Sequence, residues 1–216
     1  MFEDRKDAGQ KLGKALKAYK GCNGIVMAIP KGGVEVAHYV AKHLKLPMSL
    51  VIVRKLPFPD NPEAGFGAIA EDGGIFFADR IRERIPPSTA EIIIEEQKEE
   101  LKRRINILKE GKPIPEVQNK TVILVDDGIA MGSSMQVAIM LCKNLREKKI
   151  VVAVPVASKE VSAELEKMVD DMIVLEKPTA FRAVAQVYEN WYDVSDEEVI
   201  SILQKEKNYQ NSSFKE

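Results

Sequence analysis

The stretch Val122-Ile123-Leu124-Val125-Asp126-Asp127-Gly128-Ile129-Ala130-Met131-Gly132-Ser133-Ser134 decides the fold. Its four apolar residues predict a buried strand, and two carboxylates stand at the carboxyl end of that strand. The small residues that follow predict a tight loop opening into a helix. Backbone N–H groups in such a loop, with the positive end of the helix dipole, form a phosphate cradle. The loop lacks the lysine of an ATP-binding P-loop, which disfavours that class.

Strands and helices alternate on both sides of this stretch. Apolar runs predict strands at residues 25–29, 50–53, 121–125, 150–154 and 172–175. Helical spacing predicts helices at about residues 4–19, 36–44, 88–111, 134–145 and 159–168. This alternation is typical of the α/β class with a doubly wound, mainly parallel sheet. We predict one domain over residues 1–205, with a small C-terminal hood at about 176–195 and a polar, frayed tail at 206–216.

The middle of the chain departs from this alternation. Residues 56–64 carry three prolines and an Asp-Asn pair, which predicts a flexible loop. Residues 66–70 and 75–78, joined by Glu71-Asp72-Gly73-Gly74, predict a hairpin. Glu71 and Asp72 are either active-site acids or residues of its turn, and the turn is slightly favoured. Ser88 and Glu91 match a capping box that opens the long charged helix.

Composition narrows the classes of partner. The chain has 216 residues, 45% hydrophobic and 30% charged, with a formal net charge of −1. This balance gives no general attraction to nucleic acid or to an anionic membrane. The start of the sequence lacks the pattern of a signal peptide. The longest apolar runs have the length of strands and are too short to span a bilayer. The two cysteines lie far apart in the sequence, which does not favour a disulfide. A cytoplasmic protein without nucleic-acid or membrane partners is expected.

Glycines and charged residues follow three of the predicted strands directly. Lys31-Gly32-Gly33 follows the first, Arg54-Lys55 the second, and Asp126-Asp127 the third. In doubly wound sheets ligands bind at the carboxyl ends of the strands. These three groups are therefore expected to form one site for a phosphorylated ligand.

These motifs resemble the type I phosphoribosyltransferases. Residues 122–134 resemble the motif with which that family binds phosphoribosyl pyrophosphate (PRPP). The resemblance extends to a bacterial and archaeal group of predicted phosphoribosyltransferases whose acceptor is unassigned. It is carried by residues 28–34, 53–56, 61–63, 67–71 and 154–157 and by the spacing from Pro178 to Tyr188, and it covers about residues 24–199.

The resemblance implies a division of roles. Asp126 and Asp127 would contact the ribose hydroxyls and steady Mg²⁺ through water, while Arg54 and Lys55 would supply charge to the pyrophosphate. The loop at 56–64 would close over the reacting centre. The implied PRPP-binding residues are Lys31, Gly32, Gly33, Asp126, Asp127, Gly128, Ala130, Met131, Gly132, Ser133 and Ser134. Phe181, Tyr188 and Trp191 are hood residues that could stack on an acceptor, although aromatic residues near a C-terminus more often belong to the core.

Two positions depart from the family pattern. The family usually has Thr where this chain has Met131, and that hydroxyl helps to hold the 5′-phosphate. Enzymes that act on 6-oxopurines commonly have an acidic residue at the position of Ala130, so such acceptors are disfavoured here.

The expected function is transfer of the 5-phosphoribosyl group of PRPP to a nitrogenous base or a related small acceptor, with release of pyrophosphate. The alternative is a non-catalytic regulator that senses PRPP or a nucleotide on the same fold. Another Rossmann-like phosphate-binding protein is disfavoured because the glycine fingerprint is missing. A homodimer is the default expectation for the assembly.

Overall fold

The computed structural model describes residues 1–78 and 85–213, with the backbone alone for residues 62–63 and 210–213. The strands are β1 (Gly24–Ala28), β2 (Met48–Leu50), β3 (Val53–Phe58), β4 (Asn61–Ala70), β5 (Ile75–Phe77), β6 (Thr121–Val125), β7 (Lys149–Val156) and β8 (Asp171–Glu176). The helices are α1 (Arg5–Ala15), α2 (Gly33–Leu44), α3 (Pro87–Lys109), α4 (Ser133–Asn144), α5 (Lys159–Leu165) and α6 (Asp196–Ser213). Short 3-10 helices cover Lys17–Tyr19 and Val184–Val187.

A parallel sheet of five strands, in the order β2-β1-β6-β7-β8, forms the centre of the fold. β1 and β6 are buried at every position, as strands covered on both faces must be. Successive residues point to opposite faces, so Val26 packs in one hydrophobic core and Met27 in the other. The predicted doubly wound parallel sheet is confirmed, and the strand predicted at residues 121–125 has the observed bounds of β6.

The region after β2 corrects two predictions. Residues 50–53 do not form one strand, because Leu50 ends β2 and Val53 begins β3 in a separate antiparallel sheet of order β3-β4-β5. The loop predicted at 56–64 is a hairpin, in which β3 and β4 pair from Val53 with Ala70 to Phe58 with Asn61. The register shifts at Pro57, where a bulge accommodates a residue that has no N–H to donate.

The predicted hairpin at residues 66–70 and 75–78 is confirmed. β4 pairs with β5 in antiparallel register, Gly67 with Phe77 and Ile69 with Ile75. The two hairpins share β4 and so build a three-stranded sheet beside the central one. This small sheet places β3 next to the carboxyl ends of the central strands.

Two helix ends also differ from the predictions. Ser88 is not an N-cap: α3 begins at Pro87, and Pro86 caps it without a side-chain hydrogen bond. Proline suits this first position because its missing N–H would have no partner within the helix. No helix was predicted where α6 lies, and residues 206–213, predicted as part of a frayed tail, continue this helix to Ser213. Buried Glu206 contacts His38 Nδ1 at 2.8 Å. Residues 214–216 lie outside the described part. Within the described ranges no helix has the length and apolar character needed to cross a bilayer.

A buried ion pair joins the base of the β3–β4 hairpin to the end of α3. Lys109 Nζ lies 2.5 Å from Glu71 Oε2, and the two side chains are 5% and 4% exposed. The other oxygen of Glu71 accepts a hydrogen bond from the backbone N–H of Ile52 at 2.9 Å. Glu71 is therefore a structural anchor rather than a solvated turn residue.

We expect Lys109→Met to lower the free energy of unfolding by about 3–5 kcal/mol, because it leaves the Glu71 carboxylate buried without a cation. Urea denaturation followed by circular dichroism measures this change. Lys112→Met is the matched control, since Lys112 is exposed and its ion pair with Glu110 is screened by water. Equal effects of the two substitutions would show that the buried pair does not anchor the hairpin.

Candidate functional site

The loop after β1 packs directly against the two acids at the end of β6. A Cβ atom placed on Gly32 would lie 1.8 Å from Asp127 Oδ2, and one on Gly33 would lie 2.8 Å from Asp126 Cα. Glycine is therefore required at both positions, because a side chain would collide with the Asp127 carboxylate at residue 32 and with the Asp126 backbone at residue 33. The two predicted groups, Lys31-Gly32-Gly33 and Asp126-Asp127, thus meet at the carboxyl ends of adjacent strands.

The loop between β6 and α4 encloses a cavity of about 200 Å³. Gly132 has φ of 84°, a left-handed conformation that turns the chain into α4. The free N–H groups at the start of that helix suit an anion. Met131 is 53% exposed and forms part of the rim. The lining includes Lys55, Gly65, Asp126, Gly128, Ala130, Met131, Gly132, Ser133, Ser134 and Val184.

The structure separates the two predicted cations of β3. Lys55 lines the cavity, whereas Arg54 donates two hydrogen bonds, of 3.1 and 2.9 Å, to Gln97 Oε1 on α3. Adjacent residues of a strand point to opposite faces, so both could not reach the cavity from β3. Burial and the nearby Arg104 lower the pKa of Arg54. Lys31 lies 3.8 Å from Asp196 and does not line the cavity.

The two acids differ in their surroundings. Asp126 lines the cavity, and its Oδ1 accepts the backbone N–H of Asp127 at 2.8 Å. Asp127 instead forms an ion pair with Arg5, whose Nε donates to Asp127 Oδ2 at 2.9 Å. The hydroxyl of Tyr188 donates to the backbone carbonyl of Asp127 at 2.7 Å. Arg5 is a site residue that sequence reasoning missed, because 122 residues separate it from its partner and no local motif marks it. The lining residues Gly65 and Val184 were not predicted either.

Burial dominates the electrostatics of this pair. It raises the pKa of Asp126 well above the usual range, and the neighbouring Asp127 carboxylate raises it further. Burial also raises the pKa of Asp127, while Arg5 opposes that rise. The two carboxyl groups titrate as one pair, and the pair holds a proton to higher pH than an ordinary aspartate.

The predicted hood residues occupy two environments. Tyr188 is buried and, with partly buried Phe181, packs in a cluster around Phe2. Trp191 is 38% exposed, and its ring lies 5.3 Å from that of Tyr188. The Arg5 guanidinium stands 4.1 Å from the centre of the Trp191 ring, within range of a cation–π interaction.

Asp126 is the member of the acidic pair that a divalent cation at the cavity could contact. Among residues 1–78 and 85–213 no three His, Cys, Asp or Glu side chains are grouped as metal ligands. Mg²⁺ needs few protein ligands when phosphate oxygens and water complete its shell. Asp126 fits that requirement, because a cation at the cavity would offset the cost of desolvating its carboxylate.

The fold and the cavity together define an α/β protein with a candidate ligand site at the carboxyl ends of its central strands. Residues 5–190 match the phosphoribosyl transferase domain family, and the chain belongs to that family. Its fold is that of the type I phosphoribosyltransferases.

Two relatives illustrate the match. A Mycobacterium tuberculosis protein named "Putative phosphoribosyl transferase Rv0571c" is 35% identical over 207 residues, which cover 95% of this chain and 47% of that protein. The chain thus spans about half the length of the curated relatives it matches. The crystal structure of TT1426 from Thermus thermophilus is 34% identical, with a TM-score of 0.78, and the match covers 94% of this chain and 98% of TT1426.

We expect Asp126→Asn to raise the free energy of unfolding and the Tm at pH 7, because it removes the charge that burial and Asp127 disfavour. Folding raises the pKa of Asp126. The folded protein therefore loses stability as pH rises from about 4, the ordinary pKa of an aspartate, through the raised pKa of Asp126. The gain over wild type should therefore be small at pH 4 and grow toward pH 7. Thermal unfolding across this range measures it, with Asp193→Asn as the exposed control. A variant less stable than wild type at pH 7 would contradict the interpretation.

Proposed function

We propose that this protein transfers the 5-phosphoribosyl group of PRPP to a small nitrogenous acceptor and releases pyrophosphate. The observation that carries the proposal is the cavity that joins Asp126 to the small-residue loop of residues 128–134 beside Lys55. A carboxylate accepts hydrogen bonds from sugar hydroxyls, and backbone N–H groups hold a phosphate. A lysine balances the negative charge of the phosphate groups. Membership of the phosphoribosyl transferase domain family supports this assignment.

In this proposal the cradle holds the 5′-phosphate and Asp126 accepts hydrogen bonds from the ribose hydroxyls. Lys55 neutralises charge on the pyrophosphate side of the ribose. Lys31, Gly32 and Gly33 do not line the cavity, so in this proposal the glycines act by letting their loop pack closely against Asp126 and Asp127. Asp127 fixes the position of Asp126, because its backbone N–H donates a hydrogen bond to the Asp126 carboxylate. Mg²⁺, when bound, would neutralise negative charge on the pyrophosphate, with Asp126 as a ligand directly or through water.

The proposed reaction is displacement at ribose C1. The bond from C1 to the pyrophosphate oxygen breaks, a nitrogen of the acceptor forms the new bond, and the transition state carries oxocarbenium character. The work of the protein is then to hold the two reactants in line and to offset charge on the leaving group. The β3–β4 hairpin carries Lys55 and Gly65 at the cavity, and its closure over the ligand would exclude water.

Ala130 limits the choice of acceptor. Its methyl group lines the cavity where a 6-oxopurine enzyme of this family commonly places an acid. Alanine cannot relay a proton to a base, so we propose an acceptor other than hypoxanthine or guanine.

A second candidate function is a regulator that binds PRPP or a nucleotide without turnover. Met131 is the observation that favours it, because an exposed thioether stands where the family usually has a hydroxyl that holds the phosphate. Pyrophosphate release separates the candidates. Incubation with PRPP, Mg²⁺ and a panel of bases should give release that requires one acceptor, whereas binding by calorimetry without release under any condition would favour the regulator.

We expect Lys55→Met to weaken PRPP binding by about 10–100-fold, since a charged hydrogen bond contributes ~1.5–3 kcal/mol. Arg54→Met should change the affinity by less than about 3-fold, because its guanidinium is bound to Gln97 on the other face of β3. Calorimetry with PRPP and Mg²⁺ measures both. A larger loss for Arg54→Met than for Lys55→Met would reverse the assignment of the two cations.

Met131→Thr should tighten PRPP binding by about 3–10-fold, because it adds a hydroxyl donor at the rim of the cradle. Met140→Thr is the control: Met140 on α4 is also exposed, at 36%, but does not line the cavity. The same calorimetric titration applies. Unchanged affinity for Met131→Thr would show that backbone donors hold the phosphate without help from this position.

A further inference from the structure

Arg5 holds two groups that belong to different parts of the site. Its side chain is 3% exposed at the start of α1. Nε donates to Asp127 Oδ2 and Nη1 donates to the backbone carbonyl of Tyr192, both at 2.9 Å. A planar guanidinium with two fixed acceptors orients both of them. The acidic pair and the hood are therefore joined through one buried side chain.

The same guanidinium sets the position of the aromatic residues at the edge of the hood. Its Cζ lies 4.1 Å from the ring centre of Trp191 and 5.3 Å from that of Tyr192. Both rings are partly exposed, at 38% and 47%. Their packing on Arg5 makes them responsive to any movement of the guanidinium.

The loop after β1 touches this ion pair without an intervening side chain. A Cβ on Gly32 would lie 3.1 Å from Arg5 Nε as well as 1.8 Å from Asp127 Oδ2. A ligand that moves either the glycine loop or the acidic pair must therefore move the Arg5 guanidinium, because no free space separates these groups.

Asp126 and Asp127 have different surroundings, although they are adjacent and chemically alike. Asp126 lines the cavity, and Asp127 is not among the lining residues. The Asp127 carboxylate faces Arg5, and its backbone carbonyl accepts the hydroxyl of Tyr188. Asp126 is therefore placed to contact a ligand, and Asp127 is placed to contact the hood.

We propose that Arg5 is a positioning residue that couples ligand binding at the acidic pair to the Trp191–Tyr192 edge of the hood. The inference rests on the proposed function, because coupling requires a phosphorylated ribose at Asp126. Occupation of the cavity shifts Asp127 or Gly32, the guanidinium follows, and the indole of Trp191 changes its surroundings. Lysine could not replace Arg5, because one ammonium cannot keep both hydrogen bonds while it stacks on the indole.

Intrinsic fluorescence tests the coupling, because Trp191 is the sole tryptophan of the sequence. PRPP with Mg²⁺ is titrated into the protein while calorimetry and Trp191 emission are recorded in parallel. Wild type should change emission with the midpoint that calorimetry gives. Arg5→Lys should keep the calorimetric affinity within about 5-fold yet lose at least about half of the emission change, because it keeps the charge and loses the fork.

Acrylamide quenching of the ligand-free protein gives a second readout that needs no PRPP. Asp127→Asn and Arg5→Gln should both raise the quenching constant of Trp191, by about 2-fold, because each removes the ion pair that holds the guanidinium on the ring. Asp126→Asn should leave it at the wild-type value. These two aspartates are adjacent and receive the same change, so the comparison stands even where Arg5→Gln fails to fold.

The outcomes separate the coupling from the proposed function. No calorimetric binding by wild type would overturn both. Binding without an emission change, or a full emission change in Arg5→Lys, would overturn the coupling and leave PRPP binding intact. Equal quenching in Asp126→Asn and Asp127→Asn would also overturn it, because the two acids would then act alike on the hood.

Discussion

Two carboxylates stand side by side at the end of a fully buried strand, and their mutual repulsion in a poorly solvated place is the constraint that organises the site. Burial and proximity raise the pKa of Asp126, and Arg5 limits the rise at Asp127. The surrounding chain accommodates this pair with a glycine loop on one side and a buried cation on the other. The sheet, the N-terminal helix and the hood all contribute to that arrangement.

Under the proposed function, this arrangement favours ligand binding at the expense of the stability of the ligand-free protein. A desolvated acid destabilises the folded state until a cation or a set of hydroxyls satisfies it. Sites that bind tightly are commonly less stable than the scaffold around them. The rest of the scaffold offsets this cost through two hydrophobic cores, one on each face of the central sheet.

Sequence alone predicted the parts of the fold that depend on local pattern. The bounds of β6 follow from an unbroken apolar run, and the glycines after β1 mark a place where backbones approach closely. Prolines at 57, 59 and 62 suggested a loop, but tertiary pairing with β4 turned the segment into a hairpin with a bulge. Helix α6 was missed altogether because its contacts, such as that of Glu206 with His38, are with distant residues.

The candidate site was also predicted in part, because some of its residues follow from local pattern and others from distant contacts. Asp126, Lys55 and the loop from Gly128 to Ser134 follow from motif and strand position, and the structure gathers them around one cavity. The separation of Arg54 from Lys55 required the true strand boundary, since it depends on which face of β3 each residue occupies. Arg5 could not be found from spacing, because its role comes from a contact across the whole chain.

The anchored base of the β3–β4 hairpin makes it a lever rather than a loose flap. Glu71 and Lys109 fix one end, Lys55 lies two residues along β3, and the turn lies beyond Phe58. At about 3.3 Å per residue, a rotation of ~10° about that base moves Lys55 by about 1 Å and the turn by about 3 Å. Lys55 therefore moves much less than the turn of the hairpin. It stays directed at the cavity while the turn changes position.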